Sequence, residues 1–229
     1  MDPDPAATVR GGRGDAVTPS MHVVTSRDDL RLMVREWLPA RPEKGVLCLL
    51  HGHGEHGGQH EVLARPLAEA GFAVLAMDLR GHGLSEGKRG HTPSYGHFLD
   101  DLDVLLEHAA QRFPGTLRFV YGHSLGGNIA LNHALRRPNP DLSGIITTCP
   151  WLRLTHEISR LRVFLASLVR PFWPSFSVST SVDLPKLVSG PMAEGVNTSD
   201  PLLHDRITME AFLSVRRAGV WAVEHANQL

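Results

Sequence analysis

Apolar and polar positions along the first part of the chain follow patterns that predict strands. Residues 21–24 and 30–37, with alternation in the second, are separated by a turn-like Ser-Arg-Asp-Asp tetrapeptide and predict an antiparallel pair. Residues 46–50 and 72–77 are continuously apolar, which is typical of strands buried on both faces of a parallel sheet. Residues 143–148 predict one further strand.

Segments with helical spacing of apolar residues lie between these strands. Residues 60–70 predict a helix that ends at Gly71, and residues 93–113 predict another that ends before a Pro-Gly pair. A third helix is expected at residues 128–135, after a strand at residues 117–121. Strands that alternate with helices predict an α/β fold with a mostly parallel sheet and helices on both faces.

The most informative stretch is Gly122-His123-Ser124-Leu125-Gly126, between this last strand and the helix after it. Gly-x-Ser-x-Gly in that setting predicts a sharp turn that strains the serine backbone and exposes its hydroxyl. Gly122 and Gly126 are needed there because a Cβ atom would collide with the neighbouring strand and helix. The helix N-terminus favours a developing oxyanion, so Ser124 is predicted to be a nucleophile. The alternative is a Gly-rich turn with an incidental serine.

The chain changes character at Pro150, which suggests a division into four parts. We predict a disordered lead-in at residues 1–20 and a core at residues 21–149. Residues 150–206 are predicted to be a cap inserted over the active-site end of the sheet, with an ordinary core helix as the alternative. Residues 207–229 predict a closing helix. We expect the core strands that should follow a cap to be missing from this chain.

Apolar and aromatic side chains are concentrated in the first half of the predicted cap. Those that we expect to contact a substrate are Phe164, Leu168, Phe172 and Trp173. Three interpretations stay open: they line an acyl-chain tunnel, they rest on a membrane surface, or they form the core of the cap itself.

Composition narrows the classes of function. The 229 residues are 42% hydrophobic, enough for one sizeable core, and a formal net charge of -1 argues against a nucleic-acid partner. Two cysteines, Cys48 and Cys149, are too few for a disulfide framework and predict a reducing, cytoplasmic compartment. Each is expected to be a small core residue. The sequence shows neither an apolar secretory segment nor an apolar run long enough to span a membrane.

Three motifs follow the third, fourth and fifth predicted strands. They are His51-Gly52-His53-Gly54-Glu55-His56, Asp78-Leu79-Arg80-Gly81-His82-Gly83-Leu84-Ser85-Glu86-Gly87 and Gly122-His123-Ser124-Leu125-Gly126-Gly127. Together they resemble the monoacylglycerol lipase branch of the α/β-hydrolase superfamily, whose relatives include serine aminopeptidases and lysophospholipases. The resemblance implies an α/β-hydrolase core with an inserted cap. It also implies hydrolysis of carboxylic esters, such as monoacylglycerols or lysophospholipid-like lipids, by nucleophilic acyl transfer.

The same resemblance implies which groups stabilise the oxyanion. One donor is the backbone N–H of Leu125, and the other is the backbone N–H of His53, where the family often has a small residue. We assign Asp78, Arg80 and His82 mainly to loop architecture. The resemblance implies no cofactor or metal, and the expected partner is a small lipid or ester substrate. It leaves open whether the cap contacts a membrane surface and which oligomeric state the protein has.

The fold family orders its catalytic triad as Ser, then Asp or Glu, then His, with the last two on loops after late strands. The carboxylates after Ser124 are Asp141, Glu157, Asp183, Glu194, Asp200, Asp205, Glu210 and Glu224, and the histidines are His133, His156, His204 and His225. All fall in predicted helix, cap or loop. We therefore expect the triad acid and base to be absent, the esterase activity of this chain to be low, and the strand at residues 143–148 to be an exposed edge that lowers solubility.

Two alternatives from other classes remain. A truncated paralogue or isoform without catalysis would keep the ligand pocket or bind a partner. A zinc-dependent hydrolase would use the cluster of His51, His53 and His56, which resembles the His-x-His-x-Asp-His motif of metallo-β-lactamase-type enzymes. The zinc alternative needs further ligands on later loops and leaves the Gly-x-Ser-x-Gly motif unexplained.

Overall fold

The computed structural model describes residues 18–41, 43–153, 168, 172–180 and 200–229. Six strands form its main sheet: β1 (Ser20–Thr25), β2 (Arg31–Trp37), β3 (Gly45–Leu50), β4 (Phe72–Met77), β5 (Arg118–His123) and β6 (Leu142–Thr148). Their order in the sheet is β1-β2-β4-β3-β5-β6. The β1–β2 and β2–β4 pairs are antiparallel, and the pairs β3–β4, β3–β5 and β5–β6 are parallel. The predicted antiparallel opening pair and the parallel sheet are confirmed.

Within the described ranges, the helices that accompany the sheet include α1 (Glu61–Glu69), α2 (Tyr95–Arg112), α3 (Leu125–Arg136) and α4 (Met209–Glu224). Short 3-10 helices precede α1 at Gly57–His60 and follow α4 at Ala226–Gln228. Helix α1 ends at Glu69, and the predicted stop Gly71 follows with a φ of 101°, a left-handed conformation that glycine adopts without strain.

Strand β3 shows why the sheet is covered on both faces. All of its residues are buried. Val46, Cys48 and Leu50 pack with residues of α2 and α3 in one core cluster, whereas Leu47 and Leu49 pack with residues of α1 in another. Because successive side chains of a strand point to opposite faces, a continuous apolar run requires helices on both sides. The predicted α/β fold with helices on both faces is therefore confirmed.

A second, two-stranded sheet lies in the described part of the region after Pro150. Strands β7 (Ser177–Ser179) and β8 (Arg206–Thr208) pair antiparallel, with Val178 opposite Ile207. Residues 207 and 208 therefore belong to a strand, and the closing helix begins at Met209 because the Thr208 side chain accepts a hydrogen bond from the N–H of Ala211. Strands of three residues are too short for their alternation to be recognised in the sequence.

Cys149 corrects a second prediction. Cys48 is buried in β3 as expected, but Cys149 is exposed. Its φ of 46° turns the chain sharply after β6, and two residues later the N–H of Trp151 donates to the carbonyl oxygen of Ser124 at 2.9 Å. The turn that anchors Trp151 beside Ser124 therefore removes Cys149 from the core.

Much of the predicted lead-in and cap lies outside the described residues, namely 1–17, 154–167, 169–171 and 181–199. In the part of the chain that the structure does describe, β6 pairs with β5 alone and forms an edge of the sheet, and Ile146 on it is 51% exposed. Within the same residues, no helix combines the length and the apolar character needed to cross a membrane.

Candidate active site

The turn from β5 into α3 has the geometry that its sequence predicts. Ser124 has φ 50° and ψ -108°, a conformation that residues other than glycine rarely adopt. A Cβ atom on Gly122 would lie 2.4 Å from the carbonyl oxygen of Gly126, and one on Gly126 would lie 2.2 Å from that of Leu50 in β3. The two glycines thus allow the turn to pack against the sheet, and the strained serine is held at its apex.

Two backbone N–H groups beside Leu125 are paired within the described residues. The N–H of Ser124 donates to the carbonyl oxygen of Thr148 at 3.0 Å, and the N–H of Gly126 donates to that of His51 at 3.1 Å. Leu125 is the first residue of α3, so its N–H has no partner within the helix, and it donates to none of the described residues outside it. A free donor therefore lies directly beside the Ser124 hydroxyl at the positive end of the helix dipole.

The loop of residues 51–57 after β3 provides a second free donor. In the described part of the chain, the N–H of His53 donates to no acceptor. The bond from Gly126 to the His51 carbonyl oxygen joins this loop to the serine turn. Both predicted oxyanion donors, at positions 53 and 125, thus lack a partner among the described residues and belong to segments that are hydrogen-bonded to each other.

Only one tautomer of the His51 ring can form both of its hydrogen bonds. Its Nε2 accepts from the N–H of Leu79 at 2.9 Å, so Nδ1 must carry the proton that it donates to the carbonyl oxygen of Gly52 at 2.7 Å. Burial lowers the pKa of His51 to about 4. The ring is therefore a neutral crosslink between the loops after β3 and β4.

The His53 ring packs among other aromatic rings. Its centroid lies 5.4 Å from that of His82, 5.6 Å from that of His204 and 6.1 Å from that of Trp151. Burial, followed by the neighbouring imidazoles, lowers the pKa of His53 to about 4. Its Nε2 is buried without a hydrogen-bond partner among the described residues. The bulky residue at this position is thus accommodated by ring packing.

Glu55 supports the same loop from within. Its Oε2 accepts from the N–H of Gly52 at 2.9 Å and lies 3.5 Å from Nε2 of His60, while Oε1 lies 3.9 Å from Nε2 of His123. Burial opposes the charged form, but the imidazoles of His60, His51 and His123 outweigh it and lower the pKa of Glu55 to about 2. An ionised carboxylate therefore fixes the start of the loop.

The motif after β4 has a structural role, as predicted. Asp78 is fully buried and accepts from Arg35, from the N–H of Gly57 at 2.7 Å and from the N–H of Leu84 at 2.8 Å. Arg80 binds both carboxylate oxygens of Asp101, each at 2.6 Å. His82 donates through Nδ1 to the Arg80 carbonyl oxygen at 2.9 Å, and burial lowers its pKa well below the usual range.

A contact that the sequence did not predict joins residues 200–204 to the loop after β3. Nε2 of His56 lies 2.8 Å from Oδ2 of Asp200, and the N–H of His204 donates to the carbonyl oxygen of Gly54 at 3.1 Å. Nε2 of His204 donates to the carbonyl oxygen of Gly81 at 3.1 Å. The two residues of the His56–Asp200 pair are 144 positions apart, and no motif given above includes Asp200.

The candidate acids and bases after Ser124 are used elsewhere where the structure describes them. Asp141 pairs with Arg118, Asp200 with His56, Asp205 with Ser179, His133 with Asp103, His204 with Gly81, and His225 stacks on Trp221. Glu210 is buried and Glu224 is exposed at the end of α4. His156, Glu157, Asp183 and Glu194 lie outside the described residues. Within them, no histidine or carboxylate is hydrogen-bonded to the Ser124 hydroxyl.

The predicted substrate-contacting side chains are exposed where the structure describes them. Leu168 is 52% exposed, Phe172 90% and Trp173 58%, and the Trp173 and Phe176 rings lie 5.1 Å apart. Phe164 lies outside the described residues. None of the side chains of Leu168, Phe172 and Trp173 is buried in this structure.

The imidazoles of the zinc alternative do not converge. His51 binds Leu79 and Gly52, His53 packs on other rings, and His56 binds Asp200. Over the described ranges, no three His, Cys, Asp or Glu side chains are grouped as a metal site would require. These three histidines instead stabilise loops.

Comparison with known protein sequences identifies the family of this chain. Residues 41–229 match the family described as serine aminopeptidase, S33. The monoacylglycerol lipase of Mycolicibacterium smegmatis is 30% identical over 82% of this chain, and the monoglyceride lipase of Homo sapiens is 31% identical over 80% of it. The chain spans 66% and 59% of the lengths of these two relatives.

Solved structures extend the comparison to the fold. The crystal structure of a Paleococcus ferrophilus monoacylglycerol lipase superposes with a TM-score of 0.74 at 35% identity, over 85% of this chain and 72% of that chain. The chain belongs to the serine aminopeptidase S33 family, in the monoacylglycerol lipase-like branch of the α/β-hydrolases, a group of carboxylic ester hydrolases.

Proposed function

We propose that this protein is a serine esterase that hydrolyses monoacylglycerol or lysophospholipid-like lipids, with Ser124 as the nucleophile. The observation that carries the proposal is the strained Ser124 turn with the unpaired N–H of Leu125 beside it. Relatives named monoacylglycerol lipase and phospholipase support the class of substrate. The backbone N–H groups of His53 and Leu125 are proposed to form the oxyanion hole.

In the proposed reaction, the Ser124 hydroxyl oxygen attacks the carbonyl carbon of the ester. The carbonyl oxygen becomes negatively charged and accepts hydrogen bonds from the N–H groups at positions 53 and 125. Removing one such donor costs about 2.7–4 kcal/mol of transition-state stabilisation in a serine enzyme. The bond to the alcohol then breaks, the alcohol leaves with a proton, and water releases the acid from the acyl-enzyme. A base must accept the hydroxyl proton of Ser124 in the first step.

The exposed side chains of Leu168, Phe172 and Trp173 support a lipid-like substrate. In this proposal they meet the acyl chain or the lipid surface that supplies it, since exposed aromatic side chains are common where proteins contact lipid. A second candidate function is supported by one observation: no described histidine or carboxylate is hydrogen-bonded to the Ser124 hydroxyl. In this second candidate, the protein is a non-catalytic paralogue or isoform that binds a ligand in its pocket and does not hydrolyse it.

The decisive experiment compares the wild-type protein with Ser124→Ala on a monoacylglycerol and a lysophospholipid, with labelling by a fluorophosphonate probe in parallel. The serine esterase predicts hydrolysis and labelling that both disappear in Ser124→Ala. Loss of triad function lowers turnover by about 10⁶ in a serine protease, so the magnitude of the rate shows whether a base acts on Ser124. Equal rates in the two proteins, without labelling, would favour the non-catalytic candidate.

A further inference from the structure

Residues 200–204 contact the loop of residues 51–57 at two positions. Asp200 binds the His56 side chain at 2.8 Å, and the N–H of His204 binds the carbonyl oxygen of Gly54 at 3.1 Å. These two contacts fix the loop at Gly54 and His56, directly after His53, whose N–H is the proposed oxyanion donor. At the other end of the loop, the His51 carbonyl oxygen accepts from Gly126. The loop is thus held between the serine turn and residues 200–204.

The His56 ring transmits the position of Asp200 to the backbone. Its Nδ1 accepts from the N–H of Gly58 at 3.2 Å and caps the 3-10 helix Gly57–His60, so the proton is on Nε2 and points to Asp200. One neutral tautomer satisfies both bonds. The other oxygen of Asp200 accepts from the N–H of Leu202 at 2.9 Å, which fixes the carboxylate itself. The His56 side chain is 7% exposed, so little water competes for these bonds.

The contact at Gly54 requires close approach of two backbones. Gly54 has a φ of 79°, and a Cβ atom there would lie 2.2 Å from the carbonyl oxygen of His204. The His204 ring also packs on that of His53, with 5.6 Å between centroids. Small shifts of residues 200–204 would therefore move residues 53 and 54 as well.

We propose that Asp200 is a positioning residue that acts through His56 and holds the peptide N–H of His53 where it stabilises the oxyanion. The inference rests on the proposed function, since that function makes the His53 N–H an oxyanion donor. Asp200 takes no part in the bond changes of the reaction.

Kinetics of three variants test the proposal. In Asp200→Ala the donor is misplaced, and kcat for the monoacylglycerol falls by about tenfold to 100-fold while KM changes little, because misplacement acts on the transition state. Asp200→Asn restores most of kcat, since its amide oxygen accepts the same proton from His56. Asp205→Ala is the matched control, because Asp205 is in the same segment but binds Ser179. It leaves kcat unchanged.

Amide hydrogen exchange provides a measurement that needs no turnover. Peptides covering residues 51–58 exchange faster in Asp200→Ala than in the wild type and Asp205→Ala, whereas the peptide covering α3 exchanges equally in all three. Unchanged exchange in residues 51–58 overturns the proposal, and so does faster exchange with unchanged kcat. If the wild type shows no Ser124-dependent turnover, the proposed function fails, and the exchange result still decides whether Asp200 holds the loop.

Discussion

The loops after β3 and β4 look alike in sequence but differ in what they leave unpaired. Both follow buried parallel strands, and both carry glycines, histidines and a carboxylate. In the loop after β4, Asp78 and Arg80 are buried and bound to neighbouring groups. In the loop after β3, the side chain of Glu55 is also bound, but the N–H of His53 is free among the described residues.

This difference shows which feature marks chemistry in such a site. Charged side chains in both loops are stabilised by fixed partners, so their charge is used for folding. An unpaired backbone donor beside a strained serine costs the fold a hydrogen bond and remains available to a substrate. Removing a buried charge should therefore lower stability, whereas removing the free backbone donor should lower activity.

Breaking the Arg80 pairing should destabilise the fold. In Arg80→Met the Asp101 carboxylate, whose side chain has no solvent exposure, loses its partner, which costs about 3–5 kcal/mol of unfolding free energy. Arg65→Met is the control, because Arg65 pairs with Glu61 at the surface of α1 and the loss should be about 0.3–0.5 kcal/mol. Urea unfolding measures both. Equal losses would show that the loop after β4 is not stabilised by its buried charges.

Changing the donor at position 53 should affect activity instead. His53→Pro removes the N–H, and the expected loss in kcat is about 10²–10³-fold, as for removal of an oxyanion donor. His53→Ala keeps the N–H and should retain most of kcat, although it loses the ring packing. Steady-state kinetics on a monoacylglycerol, with stability measured in parallel, distinguishes them. A loss in His53→Ala as large as that in His53→Pro would assign the effect to the side chain.

The two loops also show how far the sequence predicted the site. The serine turn was predictable because its strand, its two glycines and its helix are contiguous in the sequence. The collision that excludes a Cβ atom at Gly122 is local, whereas the one at Gly126 is with Leu50 of β3. The contact of His56 with Asp200 joins residues 144 positions apart and leaves no periodic signal. For the same reason, the family resemblance suggested the backbone N–H of His53 as a donor, but the sequence did not predict the rings of His82, His204 and Trp151 around it.

Acid should weaken the fold through the histidines of the loop after β3. Burial lowers the pKa of both His51 and His53 from 6.5 to about 4, so the unfolded chain binds more protons than the folded one between these values. Stability is therefore complete above pH 6.5 and falls as the pH decreases toward 4. For one uncoupled group, the loss between pH 7 and pH 5 is about 2 kcal/mol.

Removing one of these imidazoles tests the origin of the pH dependence. In His53→Ala, the difference in unfolding free energy between pH 7 and pH 5 should be smaller than in the wild type. His22→Ala is the control, since the His22 side chain is 36% exposed and lies away from both loops beside Glu36. If the unfolding free energy of His53→Ala depends on pH in the same way as in the wild type, burial does not lower the pKa of His53.

The exposed aromatic side chains at positions 172 and 173 should contribute least to stability. Unlike the residues of either loop, Phe172 is 90% exposed, so Phe172→Glu with Trp173→Glu should change the unfolding free energy by no more than about 0.5 kcal/mol. Leu102→Ala, at a fully buried position in α2, should cost about 2–5 kcal/mol. If these aromatic side chains meet a lipid surface, the double variant loses co-sedimentation with liposomes while its stability is kept. If co-sedimentation is unchanged, the two side chains do not bind a lipid surface, and contact with the acyl chain of a bound substrate is the remaining interpretation.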